Sequence, residues 1–265
     1  MPGGRPRAKT QAESVKSVVK VLDILEHLGA SQGAVSVSDL ARSTGLNVST
    51  VFRLLQTLMQ RGYVEQERSN RGYQLGPRFF QMGTAYLQGS DLASIARPHL
   101  EALRDAVGET AYLVIFSQGE IVQLSKADGK QAVSASVRPM VREPAYCTAT
   151  GKVLLAGLPG EALDKYLSGV ALQSFTPQTV TSKTQLRKEI DKVRESGFAV
   201  DIEEFVPNLC CLSVPVHDAD GSSSVAAISI AMPKMRFKRS FVPRWHKQLR
   251  DKASMITQQL VMIES

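Results

Sequence analysis

Two short amphipathic segments joined by a glycine turn constrain the fold of this chain more than any other feature. The first, SDLARSTG, follows Ser36, and Asp39 three residues later gives the spacing of a helix capping box. Gly45 supplies the left-handed residue that commonly ends a helix. In the second segment, GLNVSTVFRLLQTLMQRGYV, either Asn47 or Ser49 is placed to cap a longer helix. Two helices joined in this way predict a helix-turn-helix.

The longer helix has an unusual polar face. Val51, Leu54, Leu55 and Leu58 form an apolar stripe at helical spacing, whereas the opposite face holds short hydroxyl and amide side chains and one arginine. In a helix-turn-helix the start of the second helix enters the major groove, where hydroxyls and free backbone N–H groups contact phosphates. Arginine suits guanine there, and glutamine suits adenine. The residues predicted to contact DNA on these grounds are Ser36, Asn47, Ser49, Thr50, Arg53 and Gln56.

A predicted β-hairpin follows this helix. Apolar and polar residues alternate on both sides of the sequence ERSNRG, which favours two strands with Asn70, Arg71 and Gly72 at the tip. A hairpin after a helix-turn-helix predicts a winged helix, with Arg68 and Arg71 of the wing on the DNA backbone or in the minor groove. The basic tail, residues 1–12, is predicted to be flexible and to add minor-groove contacts.

The positive charge is concentrated near the N-terminus. The chain has a net charge of +7, and residues 1–80 hold eleven Lys and Arg against six Asp and Glu. The remaining residues hold 21 against 19 and are nearly neutral. A basic N-terminal third beside a nearly neutral remainder favours a polyanionic partner such as nucleic acid. The alternative is that a charge excess of this size serves only solubility.

Length and composition limit the class of protein. At 265 residues the chain predicts about two domains. No apolar run approaches the ~20 residues of a membrane span, and the N-terminus lacks the apolar stretch of a signal peptide. The three cysteines, Cys147, Cys210 and Cys211, cannot all pair within one chain. Reduced thiols without a membrane segment predict a cytoplasmic protein that does not bind a membrane.

The winged-helix domain is predicted to span residues 13–76 and to open with an amphipathic helix. The stripe of this helix, Val15, Val18, Leu22 and Leu25, widened by Val19 and Leu28, is expected to be buried, and the length of the helix suits the pairing of two chains.

Pro77 opens a predicted linker helix, residues 77–90, and residues 91–265 predict a second domain. The patterns of the second domain predict a strand near 132–137, a long helix near 182–196, a hairpin around Asp220 and Gly221, and a closing helix at 240–263. This mixture predicts an α+β domain with its helices packed on one side of a sheet.

Several stretches resemble one known family. The frame LARSTGLNVSTVFRLLQTL followed by RGYQLG, together with TATGKVLLA, GFAVDIEEF and CLSVPV, is similar to the IclR family of bacterial transcriptional regulators. The resemblance implies a winged helix-turn-helix joined by a linker helix to a GAF/profilin-like α+β effector-binding domain. It also implies a regulator without cofactor or enzymatic activity, with a small carboxylate effector.

The resemblance further implies a homodimer or dimer of dimers on double-stranded operator DNA with an inverted repeat. Within the recognition helix the sequence departs from the family at Asn47, Val48 and Phe52, and these positions are expected to influence which operator is bound. The sequence leaves repression and activation both open.

The family's carboxylate pocket can be placed on this chain residue by residue. It implies backbone N–H donors at Ala149 and Thr150, polar side chains at Asp201, Cys211 and Ser229, and wall positions at Leu209 and Ala231, with Ala132, Ala135 and Glu143 as less secure wall positions. Ala231 and Tyr146 replace polar residues that are frequent in the family. These departures predict a roomier, less polar pocket that suits an aromatic or longer acid.

Two alternative interpretations of these residues remain open. Cys211 and Ser229 are also typical of ordinary core positions. Cys211 with His217 gives the residue types of a cysteine hydrolase, but residues six apart on one strand lie about 20 Å apart. The four histidines are scattered along the chain, which argues against a metal site.

Overall fold

The structure is a computed structural model that describes residues 14–67, 69–88, 91–131, 142–218, 221 and 223–264. The chain divides into two compact units, Met1–Tyr86 and Leu87–Ser265. The basic tail, Arg68, Ala132, Ala135 and the strand predicted near 132–137 lie outside the described residues. Within the described residues, no helix has the length and apolar character needed to cross a membrane.

The N-terminal unit is a three-helix domain followed by a hairpin. Its elements are α1 (Lys16–Ala30), α2 (Val37–Thr44), α3 (Val48–Gln60), β1 (Val64–Gln66) and β2 (Tyr73–Leu75). Gly45, with φ of 68°, forms the left-handed C-cap of α2. The two strands pair antiparallel, and Val35 adds a bridge to Tyr73, so the hairpin is tied to the loop before α2. The predicted winged helix is confirmed.

The core of this unit lies between the three helices and the hairpin. Val51, Leu55 and Leu58 of the predicted stripe on α3 are buried. On α1, however, Ile24 and Leu28 are the buried residues, and Val21 and Leu25 pack against them. The other members of the predicted α1 stripe are solvent-exposed in the single chain: Val15, Val18, Val19 and Leu22. That part of the prediction was wrong, because the helix has two apolar faces and only one lies against the core.

Helix α4 (Arg78–Gln88) follows directly after the hairpin, within the predicted linker segment. The boundary between the two compact units falls inside this helix, between Tyr86 and Leu87. At its start, Phe79 packs edge-on against Tyr63 with ring centres 5.4 Å apart.

The C-terminal unit is built around one antiparallel sheet. Its helices are α5 (Asp91–Val107), α6 (Ala149–Ala156), α7 (Gly160–Gly169), α8 (Lys183–Ser196) and α9 (Val242–Glu264). Its strands are β3 (Thr110–Ser117), β4 (Glu120–Ala127), β5 (Arg142–Pro144), β6 (Ala199–Ile202), β7 (Leu209–His217) and β8 (Ser224–Pro233). The six strands lie in the order β5-β4-β3-β8-β7-β6, and every neighbouring pair is antiparallel. The α+β prediction is confirmed.

Helices cover both faces of this sheet. Along β7, Cys210, Leu212 and Val214 face a core formed with α5 and α9, whereas Leu209 and Cys211 face the core that contains α6 and α8. The expectation of helices on one side was therefore wrong. The physical reason is visible in the central strands, which are apolar at successive positions and so present two faces that must both be covered.

Local signals placed several elements correctly. Ser182 caps α8 through the backbone N–H of Gln185, and left-handed Gly197 ends the helix. Helix α9 forms where the closing helix is predicted. Helix α7 was not predicted, since its short sequence GEALDKYLSG buries only Leu163 and Leu167 and carries a weak periodic signal.

Candidate DNA-reading helix and ligand cavity

The start of α3 is held by its capping residue. The Asn47 side chain accepts a hydrogen bond from the backbone N–H of Thr50 at 2.8 Å, and the Ser49 hydroxyl donates to the same Asn47 oxygen at 3.0 Å. The capping box at α2 is also present, because the Ser36 oxygen accepts from the Asp39 N–H at 3.1 Å. Asn47 and Ser36 thus have structural roles as caps, and the Ser49 hydroxyl supports the Asn47 cap.

The face of α3 predicted to contact DNA is turned to solvent in the isolated chain. Arg53 is exposed, and so are the two large apolar side chains beside it, Val48 (49%) and Phe52 (48%). Thr50 and Gln56 are half-buried. Val48 and Phe52 add exposed apolar area to this face beside the arginine. The structure therefore brings the predicted contacts of α3 onto one open surface.

The wing carries an exposed arginine in a fixed backbone conformation. Arg71 has φ of 57°, in the left-handed region that few non-glycine residues adopt. The Asn70 side chain accepts a hydrogen bond from the Gly72 N–H at 2.7 Å, and Gln66 donates to the Arg71 carbonyl at 2.9 Å. These contacts hold the tip that was predicted from the sequence.

In the second unit, the start of α6 leaves two backbone donors available. Thr148 is the capping residue, and its hydroxyl oxygen accepts from the Gly151 N–H at 3.1 Å. The N–H groups of Ala149 and Thr150, at the first two helical positions, have no acceptor within the helix. Such donors, together with the positive end of the helix dipole, form an anion site.

A cavity lies between this helix start and the sheet. All seven residues predicted for the effector pocket line it: Ala149, Thr150, Asp201, Leu209, Cys211, Ser229 and Ala231. The other described residues of the wall are Tyr112, Val114, Ile121, Gln123, Glu143, Thr148 and Phe205. The sheet register explains the grouping, because Asp201 pairs with Cys211, and Cys211 pairs with Ala231, across three neighbouring strands. That these residues bind a ligand stays a prediction.

The expectation of a roomier, less polar pocket stays a prediction, because two of the wall positions behind it, Ala132 and Ala135, lie outside the described residues. Tyr146 does not line the cavity, because its hydroxyl is held by the backbone N–H and carbonyl of Gln173, each at 2.8 Å. Phe205 enters the wall, and water-sized molecules have about 50 Å³ available, a few times the roughly 10–15 Å³ that one water requires. Gln123 and Glu143 add polar groups to a wall that is otherwise mostly apolar.

Two carboxyl groups in this cavity hold protons more tightly than usual. Burial raises the pKa of Asp201 to about 7, even though its carboxylate accepts a hydrogen bond from the Glu204 N–H at 2.8 Å. Burial also raises the pKa of Glu143 to about 7. Near neutral pH each group is divided between an acceptor form and a form that donates an O–H to an anion.

A buried ion cluster that the sequence did not reveal lies behind the cavity. Lys152 of α6 is 3% exposed, and its Nζ lies 2.5 Å from Glu204 and 2.6 Å from Glu189 of α8. Burial alone would lower the pKa of Lys152, but the two carboxylates outweigh it and raise that pKa. The Glu204 backbone in turn holds Asp201. The signal was present as the lysine in TATGK and the double glutamate in DIEEF, but only the fold shows that they meet.

The cysteine-hydrolase alternative finds no support in this geometry. Burial raises the pKa of the Cys211 thiol well above its usual range, so the nucleophilic thiolate is scarce. His217 is exposed at the far end of β7, about 20 Å along the strand from Cys211.

Both compact units of the chain match known protein families. The family model described as the IclR helix-turn-helix domain matches residues 17–68, and the model described as bacterial transcriptional regulator IclR C-terminal matches residues 84–258. Together they span both compact units of the chain.

Similar proteins extend the match over nearly the full length. The HTH-type transcriptional regulator KdgR of Escherichia coli strain K12 is 34% identical over 250 residues, which cover 94% of each chain. The HTH-type transcriptional repressor AllR of the same strain is 33% identical over 97% of this chain and 93% of its own.

Among solved structures, an IclR homolog from Microbacterium hydrocarbonoxydans complexed with 4-hydroxybenzoate has a TM-score of 0.77 at 25% identity. The alignment covers 92% of this chain and 98% of the homolog. With a helix-turn-helix DNA-binding domain and a C-terminal ligand-binding domain, the chain belongs to the IclR family of bacterial transcriptional regulators.

Proposed function

We propose that this protein binds an inverted-repeat operator as a homodimer, in the cytoplasm, and that a small carboxylate in the cavity of the second unit changes its operator affinity. The observation that carries the proposal is the cavity at the start of α6. It is lined by Ala149 and Thr150, whose backbone N–H groups have no acceptor within the helix, and by the side chains of Cys211, Ser229 and Asp201. The name of the AllR relative supports repression as the mode of regulation.

The exposed face of α1 supports the dimer. Val15 is 63% exposed and Val18 53%, and Val19 and Leu22 continue the same apolar surface along the helix. Helical residues three and four apart share a face, so these four side chains form a continuous strip. Burying such a strip against its copy removes apolar area from water, and a two-fold dimer imposes two-fold symmetry on the DNA site.

The first test concerns the operator. Duplexes selected from a random pool by the full-length protein are expected to contain an inverted repeat, since each recognition helix of the dimer reads one half-site. We expect Arg53→Ala to weaken binding to the selected duplex by about 1–3 kcal/mol in gel-shift titration, because Arg53 is exposed on the reading face of α3.

Arg61→Ala is the matched control, since Arg61 is an exposed arginine at the opposite end of the same helix. We expect its operator affinity to stay close to that of the wild type. Selected sequences without two-fold symmetry would exclude the proposed dimeric reading mode. If Arg53→Ala bound the operator as tightly as Arg61→Ala does, Arg53 would not contact the DNA.

The second test concerns the cavity. A thermal-shift screen of the full-length protein against small organic acids should find a stabilising ligand, since an acid at 100 times its dissociation constant adds ~2.7 kcal/mol to the free energy of unfolding. We expect Cys211→Leu to abolish this shift, because the larger side chain occupies part of the cavity that Cys211 lines. Ser229→Ala should weaken ligand binding as measured by calorimetry, because it removes a hydroxyl from the wall.

Cys210→Ala provides the comparison for the cavity variants. Cys210 neighbours Cys211 but faces the opposite core, so its replacement should leave acid binding intact. Operator affinity without ligand should be unchanged in all three variants. Normal acid binding by Cys211→Leu would place the ligand elsewhere. A tightly bound acid that leaves wild-type operator affinity unchanged would contradict the regulatory role of the cavity.

A further inference from the structure

Glu143 is a polar residue of the cavity that the proposed carboxylate site does not use. Glu143 lies on the edge strand β5, where it pairs in register with the buried Ile121 of β4, so both side chains face the cavity. The family resemblance suggested a wall position here, but a carboxyl group is not an apolar wall. Its pKa is perturbed by burial alone, without a hydrogen bond or an ion pair from the described residues.

The sheet order separates Glu143 from the proposed carboxylate site. Ser229 lies on β8, with strands β3 and β4 between it and β5. Three strand spacings correspond to roughly 14 Å along a flat sheet, which the reach of the side chains shortens. Glu143 nevertheless contributes to raising the pKa of Asp201 and of Cys211, so its carboxyl is within electrostatic reach of the cavity centre. The cavity therefore has a polar group at each side, and Gln123 lies on the strand next to β5.

Glu143 is half-buried, and the part of its carboxyl group that has lost water is stabilised when a ligand in the cavity bonds to it. Ligand sites of this kind use a few placed polar groups to fix orientation. A hydroxyl suits Glu143 in both of its protonation states, because it donates to a carboxylate and accepts from a carboxylic acid.

We propose that Glu143 makes this protein selective for hydroxycarboxylic acids, with the ligand's carboxylate at the start of α6 and its hydroxyl on Glu143. This inference rests on the proposed function of the cavity. It goes further by naming the second functional group of the effector and the residue that selects it.

Matched pairs of acids test the proposal on the full-length protein. Calorimetry would compare 4-hydroxybutyrate with butyrate and 4-hydroxybenzoate with benzoate, on the wild type, Glu143→Leu and Glu143→Gln. For at least one pair we expect the wild type to bind the hydroxylated acid about tenfold more tightly, the scale of one hydrogen bond to a buried polar group. Glu143→Leu should lose this preference while still binding the unsubstituted acid, and Glu143→Gln should keep part of it.

Glu161→Gln, on the exposed surface of α7, is the control for a change of one carboxylate. An equal preference in the wild type and in Glu143→Leu, with both proteins folded by thermal melting, would overturn the role of Glu143 and leave the proposed function intact. Tighter binding of 4-aminobutyrate than of 4-hydroxybutyrate would overturn the hydroxyl assignment in favour of an ammonium group. If none of these acids bound the wild type while the screen found another stabilising acid, this inference would fail and the proposed function would stand; if the screen found no acid, both would fail.

Discussion

Replacing Lys152 by methionine is expected to lower the free energy of unfolding by about 3–5 kcal/mol. Lys152 is the only described cation of the cluster, so its removal leaves the Glu204 and Glu189 carboxylates without a positively charged partner. A typical protein of this kind is stable by about 5–15 kcal/mol, so the loss is a large share of the total. Chemical denaturation of the full-length protein followed by circular dichroism measures it. We expect ligand stabilisation to be lost as well, because Glu204 holds Asp201 in the cavity.

Lys188→Met is the matched control, because Lys188 is an exposed lysine on α8, next to Glu189 in sequence. Its stability should stay within about 0.5 kcal/mol of the wild type. A second variant separates packing from charge: combining Lys152→Met with Glu204→Leu removes a buried anion together with the cation and should recover part of the lost stability. A Lys152→Met protein as stable as Lys188→Met would show that the cluster contributes nothing to folding.

Replacing Gly151 by alanine is expected to destabilise the second unit by about 1–3 kcal/mol and to abolish acid binding. A methyl group at this position would lie 2.1 Å from the carbonyl oxygen of Ala145 and 2.4 Å from its Cα, so the first turn of α6 must move. In an open helix the same change would stabilise by about 1 kcal/mol through helix propensity. Backbone overlap outweighs that gain here, and the displaced turn is the one that carries Ala149 and Thr150.

Gly160→Ala gives the comparison for this prediction. Gly160 opens α7 and has open space around the place that a Cβ would occupy, so alanine should be neutral or slightly stabilising. Thermal melting with and without the acid found in the screen measures both effects. The prediction would be wrong if Gly151→Ala had the same melting temperature as Gly160→Ala and bound its acid normally. That result would mean that α6 can move away from Ala145 without cost.

Local chemistry was sufficient to predict the DNA-binding half. Ser36, Gly45 and Asn47 cap or end helices through contacts within four residues of themselves, so their roles follow from sequence spacing alone. The hairpin tip at Asn70–Gly72 is equally local. The α1 stripe was mispredicted because periodicity reports that a helix has an apolar face, but not which of two such faces meets the core.

Local sequence patterns alone were not sufficient to predict the cavity. Its seven predicted positions were placed by family resemblance, and the motifs around them predicted elements but no distances. Side chains more than eighty residues apart, such as Thr150 and Ala231, share a wall only because β8 lies between β3 and β7 and α6 crosses that face. Strand order is a property of the whole sheet, and strand periodicity alone does not determine it.

The sequence by itself determined the helix-turn-helix, the wing, the α+β class and the polarity of the reading helix, because each follows from capping, turn chemistry or periodicity over a few residues. Only the tertiary structure decided that helices cover both faces of the sheet and that Lys152 forms ion pairs with Glu189 and Glu204. It also decided that Phe205 lines the cavity and that Tyr146 does not. These outcomes depend on contacts between residues far apart in the chain. Burial also raised the pKa values of Asp201 and Glu143, because a carboxyl group that loses contact with water holds its proton more tightly. A sequence does not specify which side chains are buried in this way.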